Sequence, residues 1–386
     1  MRTYLAIACG LPLLIAGGIA ALNYCVDPYL LHQWESPELA RRGPHREKLS
    51  TWGKTYAIAR YQPQVLYVGN SRTEVGLPVD VAQYEGLRVF NGALSGASMG
   101  DAMKMLRHAS AVGRPETVIW GLDAVSFTLA TGNTDLNEDL IGGGHAYLWW
   151  RKGLDMMRSI SFDMSQDTYR VLTSQYGSAC RSSLSRHGQR DGDCIRIAVA
   201  GNGGTGQSVL PRTGDFLGAK GPELAALPAF AATLEGSCSR RLRLYVNPTH
   251  AITLDALYYA GRGELMEQWL AAMADIAAQM RKRGCDVRIY DFSGFNGVTT
   301  ESLPQAGSHA EMANFWEPSH YRENVGRMVL ARLEGGADGA DGFGAELLPE
   351  RMEEHLAQLR AGLARYRDGH PFESALARKA SMVGAH

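Results

Sequence analysis

The chain has no Cys-x-x-Cys pair and no Cys/His cluster at zinc spacing, so a structural metal site has no support in the sequence. It has no surplus of either charge: 39 Lys and Arg stand against 40 Asp and Glu. No global field therefore recruits nucleic acid or an acidic surface, and a nucleic-acid partner is not expected. Long apolar runs are missing apart from one, which excludes a multi-span membrane protein. Disordered and collagen-like chains are excluded too, since 45% of the 386 residues are hydrophobic and 20% charged, near the globular average. At roughly 100 to 200 residues per domain, the length allows one large domain with additions, or two to three smaller ones.

The one exception lies at the amino end. Residues 4–22 carry no charge and are dominated by Leu, Ile, Ala and Gly, and about 20 such residues cross a bilayer as a helix. Only Arg2 and the amino group precede this run, and the next basic cluster begins at Arg41, so the positive-inside rule puts the short amino end in the cytoplasm. The expected form is an uncleaved signal anchor over residues 1–22 in the cell inner membrane, single-pass, with the body of the protein in the periplasm. Cleavage of a signal peptide near Ala20 and Ala21 is the alternative, and it exports the same body. Residues 23–59 read as a juxtamembrane linker, and the basic stretch 41–54 as solvated. In the exported part Cys180, Cys194, Cys238 and Cys285 form an even set. Cys180 and Cys194 bracket a polar loop, and Cys238 and Cys285 each precede a strand candidate. The expected pairs are therefore 180 with 194 and 238 with 285.

Residues 64–69, 87–91, 117–123, 242–247 and 287–292 are short runs rich in β-branched and aromatic residues that end in polar or Gly residues, as strands do. Between them, residues 101–111 and 264–283 carry apolar side chains at helical spacing, with Trp269 on the core stripe of the second. This alternation predicts an α/β fold, a parallel-sheet three-layer sandwich with helices on both faces. Residues 142–221 interrupt the rhythm and read as an insertion. Within it, Gly201-Asn-Gly-Gly-Thr-Gly206 has dinucleotide-fingerprint spacing, but residues 207–216 hold a Pro and a Gly, so a flexible loop is expected in place of the required helix. Residues 335–344 read as a hinge, and residues 347–366 as an amphipathic helix in a carboxyl-terminal extension over 334–386.

The polar residues that could do chemistry follow the strands. Strand one runs into Asn70-Ser71-Arg72-Thr73, strand two into Ser95-Gly96, strand three into Asp123, and strand four into Asn247-Pro-Thr-His250. In a parallel sheet these ends form one cleft. A serine at a strand-to-helix turn is placed to be a nucleophile, although it can equally cap the helix. Glu317-Pro-Ser-His320 sets a carboxylate three residues before a histidine, and a histidine held by a carboxylate is the base a serine needs.

At these residues the sequence resembles the SGNH (GDSL-like) hydrolase superfamily over roughly residues 60–333, the expected catalytic domain. Gly69-Asn70-Ser71-Arg72 is similar to its serine block, Ala93-Leu94-Ser95-Gly96-Ala97 to the block giving a backbone oxyanion donor, and Glu317-x-x-His320 to its carboxylate and base block. The resemblance implies a catalytic Ser71, His320 and Glu317, and an oxyanion hole at Ser71, Gly96 and the position of Asp123. The family shows an Asn at that third position. An ionised Asp123 cannot donate, so it is protonated, or a group such as Asn91 or His250 takes the role, or the site handles acyl groups poorly. An anchor ahead of such a domain also resembles the exopolysaccharide O-acetylation proteins of Gram-negative bacteria. That implies a polysaccharide substrate and a membrane acyltransferase as acyl donor, with no cofactor. An esterase or a non-catalytic polysaccharide-binding protein would share the same residues. Arg72 reads as a binder of uronate or phosphate or as a solvated side chain, and His250 as a substrate contact or a structural hydrogen-bonder. Trp149, Trp150 and Trp316 read as sugar-stacking candidates, with core packing expected for at least one.

Overall fold

The structure is a computed structural model that describes residues 2–28, 49–134, 136–173, 187–218, 221–305, 308, 310–336 and 343–383. All five apolar runs become strands: β1 (Val65–Val68), β2 (Val89–Asn91), β3 (Thr117–Leu122), β4 (Arg241–Val246) and β5 (Val287–Asp291). They pair in parallel in the order β2-β1-β3-β4-β5. Consecutive residues of β1 and β3 are buried irrespective of the face they point to, so the sheet is covered on both sides. Helices α2 (Leu49–Tyr61), α3 (Ser71–Gly76), α4 (Met99–Val112), α9 (Leu227–Glu235), α10 (Ala251–Tyr259), α11 (Gly263–Lys282) and α12 (Glu323–Leu333) supply the cover. Trp269 of α11 is fully buried in the core, as its stripe position requires.

The amino-terminal run forms α1 (Arg2–Val26), of which Ala8–Val26 has a mean hydropathy of 1.7, long and apolar enough to cross a membrane. Cys238 and Cys285 form a disulfide that joins the turns entering the neighbouring strands β4 and β5. Cys180 lies outside the described residues, and the pairing of 180 with 194 with it.

Two local expectations are corrected, the solvated linker and the flexible loop after the glycines. The end of the supposed solvated linker is helix α2, whose Ala57, Ile58 and Lys54 are buried; the apolar residues dock on the core and Lys54 meets a buried carboxylate. The described residues of the insertion fold mainly as helices: α5 (Gly144–Arg158), α6 (Phe162–Leu172), α7 (Asp193–Gly201) and α8 (Thr205–Gly218). Thus a helix does follow Gly204, through Pro211, because burial of Val209 and Leu217 outweighs local propensity. The residues ahead of the glycines are helical too, so no strand-Gly-helix unit exists there. Beyond residue 334 the chain adds a short antiparallel edge strand, β8 (Ala345–Glu346), against β5, and helices α13 (Met352–Gly369) and α14 (Pro371–Val383), with Ala377 and Ala380 buried in the same core.

The last motif returns as a two-stranded hairpin, β6 (Phe315–Glu317) and β7 (His320–Tyr321), lying over α3. Close approach makes this possible. A Cβ on Gly326 of α12 would lie 1.9 Å from the carbonyl oxygen of Gly76, and one on Gly76 would lie 2.0 Å from the Tyr321 ring. Gly326→Ala must therefore push α12 off α3, and it is expected to cost about 1–3 kcal/mol, read as a lower urea midpoint with an unchanged slope.

Candidate functional site

The sheet order places β2 on one side of β1 and β3 on the other, so the topological switch point lies between β1 and β3. Side chains at the carboxyl ends of these strands border the crevice where open α/β sheets take ligands. Ser71 leaves β1 there and Asp123 leaves β3. Ser71 is not the helix cap. Asn70 is: its side-chain oxygen accepts from the Arg72 amide at 3.1 Å. Relieved of capping, the half-buried Ser71 hydroxyl lies 2.8 Å from Nε2 of His320.

The β6–β7 hairpin holds the partner groups. Glu317 and His320 face each other across it, closed by Pro318 and Ser319. The Glu317 carboxylate is fully buried and accepts from Nδ1 of His320, from the Ser319 amide at 2.8 Å and from the Ser319 hydroxyl at 2.7 Å. Burial by itself would raise the pKa of Glu317, but attraction to His320 and these hydrogen bonds overcome it and hold the group at about 2. An ionised carboxylate at Nδ1 fixes the tautomer that leaves Nε2 as acceptor, so the Ser71 hydroxyl donates to it. A hydroxyl so held loses its proton readily when it attacks an electrophile. Ser319 has no sequence signal beyond its place between two expected residues.

Arg72 and Asp123 have other roles than those expected. Asp123 accepts from Arg72 Nη1 at 2.8 Å, from Asn70 Nδ2 at 2.5 Å and from Asn247 Nδ2 at 3.0 Å. Both of its oxygens are thus engaged by donors within the protein, which uses the side chain as an acceptor. Arg72 is buried, and its Nε donates to the Ser319 carbonyl at 2.8 Å. It ties the Glu317–His320 turn to the end of β3, and its guanidinium is not presented to a substrate. Asp123→Asn removes the counter-charge of a buried guanidinium. The expected cost is about 1–3 kcal/mol, visible as a shifted urea midpoint; unchanged stability would contradict this role.

The remaining oxyanion candidates are the amides of Ser71 and Gly96. Gly96 has φ of +75° in the turn after β2, a conformation open to glycine, and a Cβ there would press on Asn133 at 3.0 Å. The turn is braced from beneath by Glu74, which accepts from the Ser95 hydroxyl at 2.5 Å and from Lys54 at 2.7 Å.

Two further expected ligand contacts, Asn91 and His250, are corrected. Asn91 donates to the Thr73 carbonyl at 3.0 Å and accepts from the Ala93 amide, stapling the end of α3. His250 is fully buried, caps α10 and contacts the Glu301 carbonyl at 2.5 Å; burial lowers its pKa to about 4, so it is a neutral structural group. Trp316 is partly exposed: the Arg322 guanidinium lies 4.1 Å from its ring centroid, and the ring borders a surface cavity together with Arg196 and Glu311. Trp149 and Trp150 are both exposed on α5, where core packing was expected for at least one of the three tryptophans. Among the described residues no three His, Cys, Asp or Glu side chains gather in a way that could hold a metal ion.

No model of a known protein family, no curated protein and no solved structure matches this chain.

Proposed function

We propose that this protein is a membrane-anchored, exported serine acyl-transfer enzyme, acting as an O-acetyltransferase on an exopolysaccharide. The observation that carries the reading is the Ser71–His320–Glu317 relay at the sheet's switch point. Ser71 Oγ attacks the acyl carbon of an ester while its proton passes to Nε2 of His320. The oxyanion collects at the amides of Ser71 and Gly96. Collapse breaks the ester bond, and His320 returns the proton to the leaving alcohol. An acceptor hydroxyl, deprotonated by His320, then attacks the acyl-Ser71 ester and regenerates the serine. Glu317 orients the imidazole and stabilises its cation.

A sugar hydroxyl as acceptor makes this a transferase, and water makes it an esterase; the same residues serve both. The resemblance to SGNH hydrolases and to anchored exopolysaccharide O-acetylation proteins favours the sugar, with a membrane acyltransferase supplying acetyl groups on the periplasmic side. The test is intact mass of the full chain in detergent after exposure to a chromogenic acetyl ester. One acetyl adduct, absent in Ser71→Ala, is expected. Absence of both adduct and Ser71-dependent turnover would overturn the reading for simple acetyl esters.

A further inference from the structure

Helix α5 is amphipathic in the wrong sense for a water-facing helix. Trp149, Trp150, Met156 and Met157, followed by Ile160 in the corner before α6, recur at spacings of one, three, four and seven and form one exposed stripe; Trp149 is 75% exposed. The opposite face is polar and buried. Arg151 donates there to the Tyr147 hydroxyl at 3.1 Å and to the Thr55 hydroxyl at 3.2 Å, beside buried Asp155 and Ser159. Phe162, which opens α6, continues the apolar surface at 80% exposure. An outward apolar stripe over an inward polar one matches a surroundings less polar than water.

The same corner is tied to the apolar helix α1. Asn23, buried near the end of the Ala8–Val26 span, donates to the Ser159 carbonyl at 2.7 Å and to the Ser165 hydroxyl at 2.9 Å. At about 1.5 Å rise per residue, Asn23 lies roughly 5 Å inside the end of that span. If α1 crosses a bilayer, the α5–α6 corner sits at its face. Trp is enriched at that depth, and the Lys152 ammonium, 5.1 Å from the Trp149 ring centroid, stands where lipid phosphates would be. A sugar polymer would need hydrogen-bonding partners on the patch, and Met156, Met157, Ile160 and Phe162 have none to give.

We propose that the outer stripe of α5 and the start of α6 insert into the interfacial zone of the same bilayer that α1 crosses, so that the folded body lies on the membrane in one orientation. This inference rests on α1 as a membrane span and is independent of acyl transfer.

The test uses the full chain reconstituted at low density in vesicles of phosphatidylcholine and phosphatidylglycerol, with bromines placed near the headgroup end of the acyl chains. Wild type is compared with the double variant Trp149→Phe/Trp150→Phe, which keeps the stripe apolar and removes its fluorophores. The emission difference between the two reports these side chains alone. It is expected to fall by about half with brominated lipid and to be insensitive to aqueous iodide. Adding Phe162→Trp to the double variant should restore emission that brominated lipid quenches. Quenching by iodide without quenching by bromine would show a water-facing stripe, and protection from both would show protein cover, such as a second copy. Either result overturns the proposal.

Discussion

Ser71→Ala and His320→Ala are each expected to cut Ser71-dependent ester turnover by about 10⁴-fold, and the double variant no further. The two groups act as one unit: without the imidazole the hydroxyl keeps its proton, and without the hydroxyl the imidazole has nothing to activate. Glu317→Gln keeps the size of the side chain but puts an amide at Nδ1. The expected loss is about 10²- to 10⁴-fold, since the imidazole loses both the anion that stabilises its cation and the acceptor that fixes its tautomer. Initial rates of acetyl ester hydrolysis measure all four variants. A linked pH effect follows from the carboxylate. Its pKa is depressed from an ordinary 4.5 to about 2 in the folded protein, so its ionised form stabilises the fold above about pH 4.5, and that stabilisation is lost as pH falls through about 2. The stability gap between wild type and Glu317→Gln should therefore shrink as pH falls from about 4.5 towards about 2. A gap that stays constant across that acid range would contradict the depressed pKa.

Lys54→Met is expected to destabilise the protein by about 3–5 kcal/mol and to lower its melting temperature by about 10 °C. Lys54 and Glu74 are 3% and 0% exposed. Lys54 Nζ lies 2.7 Å from Glu74 Oε1 and donates to the Ala93 carbonyl at 2.5 Å. The second Glu74 oxygen accepts from Ser95, whose hydroxyl also accepts from Arg190 at 2.7 Å. Burial would raise the pKa of Glu74, but the charges of Lys54 and Arg190 hold it below its ordinary value. Removal of the ammonium leaves a buried carboxylate short of its closest counter-charge. The double variant Lys54→Met/Glu74→Met should recover much of the loss, and the double-mutant cycle isolates the coupling. Because Ser95 leads into Gly96, the single variant should also slow acyl transfer by loosening the turn that offers the Gly96 amide. Chemical denaturation and ester turnover on the same preparations separate the two effects.

Local pattern alone determined much of this protein. Each of the five core strands shows in the sequence as a short apolar run between breakers, because a strand buried on both faces needs an unbroken stretch of β-branched and aromatic residues. The α11 stripe around Trp269 and the apolar run in α1 are equally local, as is the strand-end position of Ser71. The pairing of Cys238 with Cys285 followed from their similar places ahead of two strands that proved to be neighbours.

What the tertiary structure decided is how polar groups were spent. Asp123 and Arg72 each suggested a ligand contact when viewed one at a time, yet folding brings them within 2.8 Å of each other and makes them partners. Asn91, His250 and Lys54 were likewise absorbed by carbonyls and a carboxylate far away in the chain, since a buried polar group must find a partner wherever the fold offers one. The outward apolar stripe of α5 is of the same kind: a helical repeat in sequence shows that a stripe exists, but only packing shows which side faces out. Spacing along the chain records which residues share a strand end or a helix face. The 249-residue separation between Ser71 and His320 is closed by the sheet order and by the glycine contact of α3 with α12, neither of which any local pattern encodes.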